Sequence, residues 1–326
     1  MPRLLIVTTS HAALGDTGRR TGFHWEELAT PYWIFRDAGI EVEIASVAGG
    51  PPPHDPCSLE AAVGANEPSV ARFLRDPGAM ALLRGAFPVA EADAGRYDGV
   101  FLPGGHGTMW DLPGSEPLAR LVGSLFDRGG VVAAVCHGPA GLLAARRGDG
   151  RPIVAGRRVN AFTNAEEAAI GLTEAMPFLL ETRLQELGAM FEGGPAFQAH
   201  AVRDAHLVTG QNPASAAAVA RHVVDAVREA GAGVGVTLRL VSRAPIETLA
   251  ILAEALPETR RAEGCRYSRT LTDADRPEVI VLEQGWESRE HQRRYLTWRE
   301  ARGDLGRLLA TLAEPPDVTV LVPRAA

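Results

Sequence analysis

Short runs that are apolar at every position, rather than at every second one, constrain this chain most. Leu4-Leu5-Ile6-Val7, Val100-Phe101-Leu102 and Val131-Val132-Ala133-Ala134-Val135 have no polar face to offer to water. As strands they must be covered on both sides. Residues 3–9, 41–46, 97–102 and 131–135 read as strands, with helices over 25–38 and 117–128 that end at Gly39 and at Gly129-Gly130. A further helix is expected over 139–146. Strands and helices alternating in this way predict an α/β domain whose parallel sheet carries helices on both faces. Ligands of such sheets bind beyond the carboxyl ends of the strands.

The second part of the chain reads differently. After a helix over 214–229 the text turns Gly/Ala-rich at 230–235, which suggests a linker. Beyond it come strand 236–241, helix 245–259, strands 265–271 and 278–286, a broken helix over 288–312 and strand 317–322. This β-α-β-β-α-β order is the ferredoxin-like α+β pattern. For 326 residues, at about 150 per domain, two domains are expected, over 1–230 and 231–326.

Composition removes several classes of function. The formal charge is −7, with 33 basic residues against 40 acidic ones, so there is no electrostatic case for a nucleic-acid partner. Every basic residue is Arg, and without Lys there can be no lysine Schiff base and no P-loop lysine. No apolar run approaches the ~18 residues of a membrane span, and none resembles a leader. A cytoplasmic protein with no membrane partner is therefore expected. Cys57, Cys136 and Cys265 are too few and too scattered for a disulfide framework or a CxxC metal site, and no metal is expected. Cys265, opening a strand, is expected to be buried, whereas Cys57 lies in a Pro/His loop.

Cys136 is different. Ala134-Val135-Cys136-His137-Gly138-Pro139 stands where a strand turns sharply, with small residues two before and two after the Cys. Bulk at those places would strike neighbouring backbone, and a Cys at such an elbow projects from the carboxyl end of the sheet. A helix starting at Pro139 would present its N-terminus to the sulfur and favour the thiolate.

Several ordered stretches accompany this elbow: Thr21-Gly22 with Glu26, Glu27 and Pro31, DAGIEVEIASVAGGPPPHDP (37–56), FLPGGHGTMWDLP (101–113), VVAAVCHGPAGLL (131–143), AFTNAEE (161–167), PFLLETRLQELGA (177–189) and LVTGQNPASA (207–216). Through them residues 1 to about 230 resemble the Hsp31-like, glyoxalase III branch of the DJ-1/PfpI superfamily. The resemblance implies a flavodoxin-like, three-layer domain with Cys136 as nucleophile and His137 beside it as acid/base. It implies Glu27, preferred over Glu26, as the carboxyl near the sulfur, and Glu167, preferred over Glu166, as the acid that orients the His. Gly105, His106 and Gly107 would supply the oxyanion hole and substrate contacts. The implied activity is glutathione-independent conversion of a 2-oxoaldehyde such as methylglyoxal to a 2-hydroxy acid, lactate, in a stress-protective, detoxifying role.

Physically, this set suits attack of a thiolate on a reactive aldehyde. A carboxyl of raised pKa can then move a proton between adjacent carbons, an internal redox step that calls for no cofactor. Gly104-Gly105-His106-Gly107 lacks the spacing of a dinucleotide loop. Cys, His and carboxylate also form the acyl-transfer set of a peptidase or amidase, and the family includes chaperones and redox sensors, so these readings stand beside the first.

In the second domain, ETRRAEGCRY (258–267), VLEQGWES (281–288) and the helix bearing His291 and Tyr295 resemble the antibiotic-biosynthesis monooxygenase (ABM) domain, a dimeric α/β barrel. Trp286 falls where monooxygenase members line their pocket, although it and Trp298 read equally as packing residues. His291, on an Arg/Glu-rich helix, is expected in solvent. The helix departs from the His-rich one of many ABM relatives, which favours a homodimerising or substrate-shielding module over a cofactor-free oxygenase.

Overall fold

The computed structural model describes residues 1–231 and 233–322. It divides into two compact units, Met1–Val227 and Arg228–Ala326, and among the described residues no helix is long and apolar enough to cross a membrane.

Unit 1 is built on β1 (Arg3–Thr8), β2 (Glu41–Ser46), β3 (Phe87–Pro88), β4 (Gly99–Leu102), β5 (Val131–Val135), β8 (Ala201–Asp204) and β9 (Leu207–Gly210), with β6 (Arg158–Val159) and β7 (Met190–Phe191) forming a separate pair. The main sheet has the order β3-β2-β1-β4-β5-β9-β8, parallel except for β8, which runs antiparallel to β9. Uniform burial of the apolar strands follows from two cores, one on each face. Leu4, Ile6, Phe101, Val131, Ala133 and Val135 pack toward the first helix, Trp25–Asp37, and the last, Ala216–Gly231. Leu5, Val7, Val100, Leu102, Val132 and Ala134 pack toward the helix Glu116–Asp127. Chain order reverses beside β1, which places a crevice at the carboxyl ends of β1, β4 and β5.

Two expectations need correction here. The helix expected over 139–146 is only a 3-10 turn, Gly138–Leu142, because the chain must fold back tightly under β4. The residues read as a linker belong mostly to elements: the helix extends to Gly231, and the next strand begins at Val234. The segment between β2 and β4, which carries no clear period, holds three short helices: Pro56–Gly64, Pro68–Arg75 and Pro77–Arg84. Each starts with Pro after an acidic residue (Asp55, Glu67, Asp76) whose carboxylate accepts a backbone N–H of the first turn.

Unit 2 is an antiparallel sheet with helices. Its strands β10 (Val234–Val241), β11 (Cys265–Thr272), β12 (Val279–Trp286) and β13 (Asp317–Leu321) lie in the order β11-β12-β10-β13. Helix Pro245–Arg261 precedes β11, and helices Arg289–Ala301 and Asp304–Ala310 precede β13, interrupted at Gly303 with φ +76°. Trp286 is fully buried against Tyr295, with ring centroids 4.9 Å apart. Trp298, by contrast, is 42% exposed under the guanidinium groups of Arg299 and Arg302, so it does not pack in the core. Cys265 is only partly buried because it opens the edge strand, and Cys57 is exposed. His291 is partly buried, its Nδ1 2.9 Å from Ser288 Oγ at the start of its helix.

One position tests how the crevice is shaped. A Cβ at Gly138 would run into the carbonyl of Leu102, so Gly138→Ala must push the turn away from β4. Overpacking of this kind costs about 1–3 kcal/mol. We expect a lower urea midpoint at unchanged slope, and an unchanged midpoint would contradict the packing described.

Candidate active site

Cys136 follows β5 directly and has φ +59°, in the left-handed region that non-glycine residues rarely occupy. Its backbone is held on both sides: its N–H donates to the Gly210 carbonyl at the end of β9 (2.8 Å), and its carbonyl accepts from Phe162 N–H (2.9 Å). This forced turn swings the side chain into the crevice, where it is 4% exposed.

His137 follows on the 3-10 turn, with its ring tilted against that of Phe162, centroids 4.6 Å apart. Its Nδ1 lies 3.3 Å from Cys136 Sγ, and its Nε2 2.8 Å from Glu167 Oε2. Glu167 sits in the helix Asn164–Ala169, whose capping box is made by Thr163 and Glu166. Burial alone would raise the Glu167 carboxyl, but hydrogen bonds from His106 and His137 outweigh it and hold the pKa at about 2. Glu167 is therefore ionised and accepts the Nε2–H of His137, leaving Nδ1 unprotonated toward the sulfur. Burial, reinforced by the nearby His106, lowers the His137 pKa to about 4. The ring is neutral at pH 7 and can take a proton from the thiol.

Glu27 comes from the opposite side of the crevice, on the first helix, and is fully buried. Its Oε2 accepts the Gly104 N–H (2.7 Å), and its carboxyl lies beside the Cys136 thiol. Burial raises its pKa to about 8, against the pull of bonds from the thiol and from Gly104. The thiol is itself pushed well above its ordinary value, first by burial and then by Glu27. This corrects the expectation of a thiolate held by a helix N-terminus: the turn after Cys136 is too short to act as a dipole, and desolvation governs both groups. At pH 7 the pair holds its protons, and Glu27 is a neutral acid next to sulfur.

The remaining predicted residues lie in the loop after β4. Gly105 has φ +99°, and a Cβ there would strike the loop of Gly22, Phe23 and His24. A Cβ on Gly107 would come within 2.7 Å of the His11 carbonyl, so this glycine serves close packing. His106 points to Glu167, donating Nε2–H to Oε1 (3.2 Å), with its ring 4.2 Å from that of His137. One carboxylate thus serves two imidazoles. The donor atoms of His106, His137 and Glu167 lie within 4.8 Å of one another, as in a two-His-one-carboxylate metal set, yet both Nε2 atoms are occupied by the carboxylate. Glu26 and Glu166 lie apart from the sulfur: Glu26 is half-buried, and Glu166 is taken up by Thr163, Phe197 N–H and Asn212.

Sequence reasoning missed two features of the site. Asn212, from the LVTGQNPASA stretch, braces Glu166 (2.8 Å) and with it the helix that carries Glu167. His24, three residues before Glu27, is aimed at that carboxyl from the crevice wall, its Nδ1 3.8 Å from Oε1. The i, i+3 spacing was the available signal for the second.

Residues 20–226 match the DJ-1/PfpI family. The glutathione-independent glyoxalase hsp3101 of Schizosaccharomyces pombe is 32% identical over 68% of this chain and 93% of its own length. Among solved structures, that of glyoxalase III from Candida albicans superposes with a TM-score of 0.63 at 28% identity, covering 69% of this chain and 97% of its own. The rapid encystment protein of Francisella tularensis gives 0.66 at 33% identity, over 70% of this chain and 99% of its own. The chain belongs to the DJ-1/PfpI family.

Proposed function

We propose that residues 1–230 form a catalytic domain that converts 2-oxoaldehydes such as methylglyoxal to 2-hydroxy acids without glutathione. The observation that carries this reading is the pair of proton carriers around Cys136: a neutral His137 Nδ1 at 3.3 Å from Sγ and a buried, protonated Glu27 beside it. In the first step His137 accepts the thiol proton as sulfur adds to the aldehyde carbon, and Glu27 gives its proton to the carbonyl oxygen, forming a hemithioacetal. Backbone N–H groups of Gly105 and His137 are suited to hold that oxygen as charge develops. Glu27, now a carboxylate, takes the C1 hydrogen as a proton, the C–H electron pair becomes the C1=C2 bond, and the C2 carbonyl oxygen, taking the π pair, accepts the proton held by His137, which gives an enediol. Return of a proton from Glu27 to C2, with loss of the C1 hydroxyl proton to His137, gives a thioester, which water cleaves to lactate and free thiol. Acyl transfer by a peptidase needs only Cys, His and Glu167, and would leave Glu27 without a role. Its placement at the sulfur favours the isomerisation.

We read residues 231–326 as an ABM-like, ferredoxin-fold module that pairs two chains. Support comes from its element order and from the apolar groups on the sheet face away from the helices, where Tyr267 lies across Gly285 and Leu271 opposes Val281. Tyr267 and Leu271 are 50% and 43% exposed in the single chain. The Arg269–Glu283 ion pair lies between these apolar groups, and a face of this mixed kind with no helix over it suits pairing with a second copy. Full burial of Trp286 speaks against a pocket-lining, oxygenase role.

Three outcomes are expected. Intact protein should form lactate from methylglyoxal without glutathione, Cys136→Ala none, and Glu27→Gln should turn over about 10²–10⁴-fold more slowly, the usual worth of a general acid–base. Lactate from Cys136→Ala, or no lactate from the folded intact protein, would sink the reading. The rate should form a bell against pH: lost below about 4 as His137 protonates, and lost above about 8 as Glu27 gives up the proton it needs for the first step. A rate still climbing through the alkaline limb would remove Glu27 as the initial acid. Sedimentation should give twice the 34.6 kDa of one chain, reduced to a single chain by Leu271→Asp. A monomeric intact protein refutes the pairing.

A further inference from the structure

Two buried polar atoms of the crevice have no hydrogen-bond partner and face each other: Nδ1 of His24 and Oε1 of Glu27, 3.8 Å apart. Buried polar atoms without partners are rare enough to need a reason. The gap exceeds an ordinary hydrogen bond by about 0.6–1.1 Å, so a small rotation of the imidazole closes it. The His24 backbone is fixed, since its N–H donates to the Gly104 carbonyl (3.0 Å), while the side chain remains 26% exposed. One end of this ring therefore meets a sealed carboxyl and the other edge meets solvent.

We propose that His24 is a proton relay that connects Glu27 to solvent during turnover. It acts through Glu27 and has no contact with the reacting carbons, which makes it a positioning residue for that proton. This inference rests on the glyoxalase reading above. The other neighbours of the Glu27 carboxyl offer no such path. Gly104 N–H is a fixed donor, and the Cys136 sulfur is bonded to substrate while the enediol exists. The imidazole of His137 is turned to Cys136 and Glu167. Burial lowers the His24 pKa to about 4, so at pH 7 its ring is neutral and has a free nitrogen to accept with.

The step balances without any other reactant. After Glu27 has taken the C1 hydrogen, its O–H proton passes to His24 Nδ1, and the imidazolium loses its Nε2 proton to water. The reverse passage returns a solvent proton to Glu27, which then delivers it to C2. The C2 hydrogen of lactate is then drawn from solvent, whereas an isolated Glu27 would hand the substrate's own C1 hydrogen across.

The test is methylglyoxal turnover in D2O by the intact protein, His24→Phe and His24→Gln, with deuterium at C2 of the lactate read by NMR or mass spectrometry. Phe keeps the bulk of the ring, and Gln keeps a polar atom near Glu27 that cannot shuttle protons. Most of the lactate from the intact protein should carry deuterium, and both variants, still forming lactate, should lose most of that label. Retention of the C1 hydrogen by the intact protein, or an undiminished label in either folded variant, overturns the relay. Absence of lactate from the intact protein overturns the glyoxalase reading and the relay together. A loss of packing alone would slow turnover but would leave the origin of the C2 hydrogen unchanged.

Discussion

Desolvation of one sulfur atom organises this site. Forcing Cys136 into a left-handed turn puts its thiol inside the crevice, where the charged form loses its water. Every neighbour answers that loss. Glu27 is shut in with it and keeps a proton, His137 stays neutral, and Glu167 keeps its charge only because two imidazoles donate to it. In the reaction proposed above a proton moves at the moment of attack, and no standing thiolate has to be stabilised. The surrounding glycines follow from the same demand: Gly104 and Gly138 stand where any side chain would part the walls that seal the thiol.

Much of this was legible in the residues. Runs without a polar position foretold strands buried on both faces, and small residues flanking Cys136 foretold a turn with no room. Motif resemblance brought Glu27 and Glu167 to attention, and the fold places both at the elbow from helices far apart in the chain. What sequence could not supply was direction. His106 reads as a loop residue beside a substrate, yet its ring turns back to Glu167 because Gly105, at positive φ, redirects the chain. The helix expected after Pro139 failed for a related reason: good helix-forming text was overridden by the close approach of Gly138 to Leu102. Between β2 and β4, three short helices are marked by acidic residues before prolines, with only two or three turns each to carry a hydrophobic period.

The second unit shows the opposite balance. Its element order could be read almost completely, including a break in the helix over 288–312, which the structure places at Gly303. Individual side chains were harder. Trp298 looks like a core residue by type and is instead a platform for two guanidinium groups. In a chain whose cations are all arginine, aromatic rings at the surface find planar partners, and a surface tryptophan gains a reason to stay there.

With only 4% of Cys136 in contact with solvent, whatever reacts with the sulfur has to reach it through a narrow opening. On the glyoxalase reading such an opening suits a three-carbon aldehyde, whereas a peptide carbonyl is flanked by chain on both sides and presents a wider profile. On that reading the crevice is a molecular sieve as well as a reaction vessel, and selection by girth precedes any recognition by hydrogen bonds.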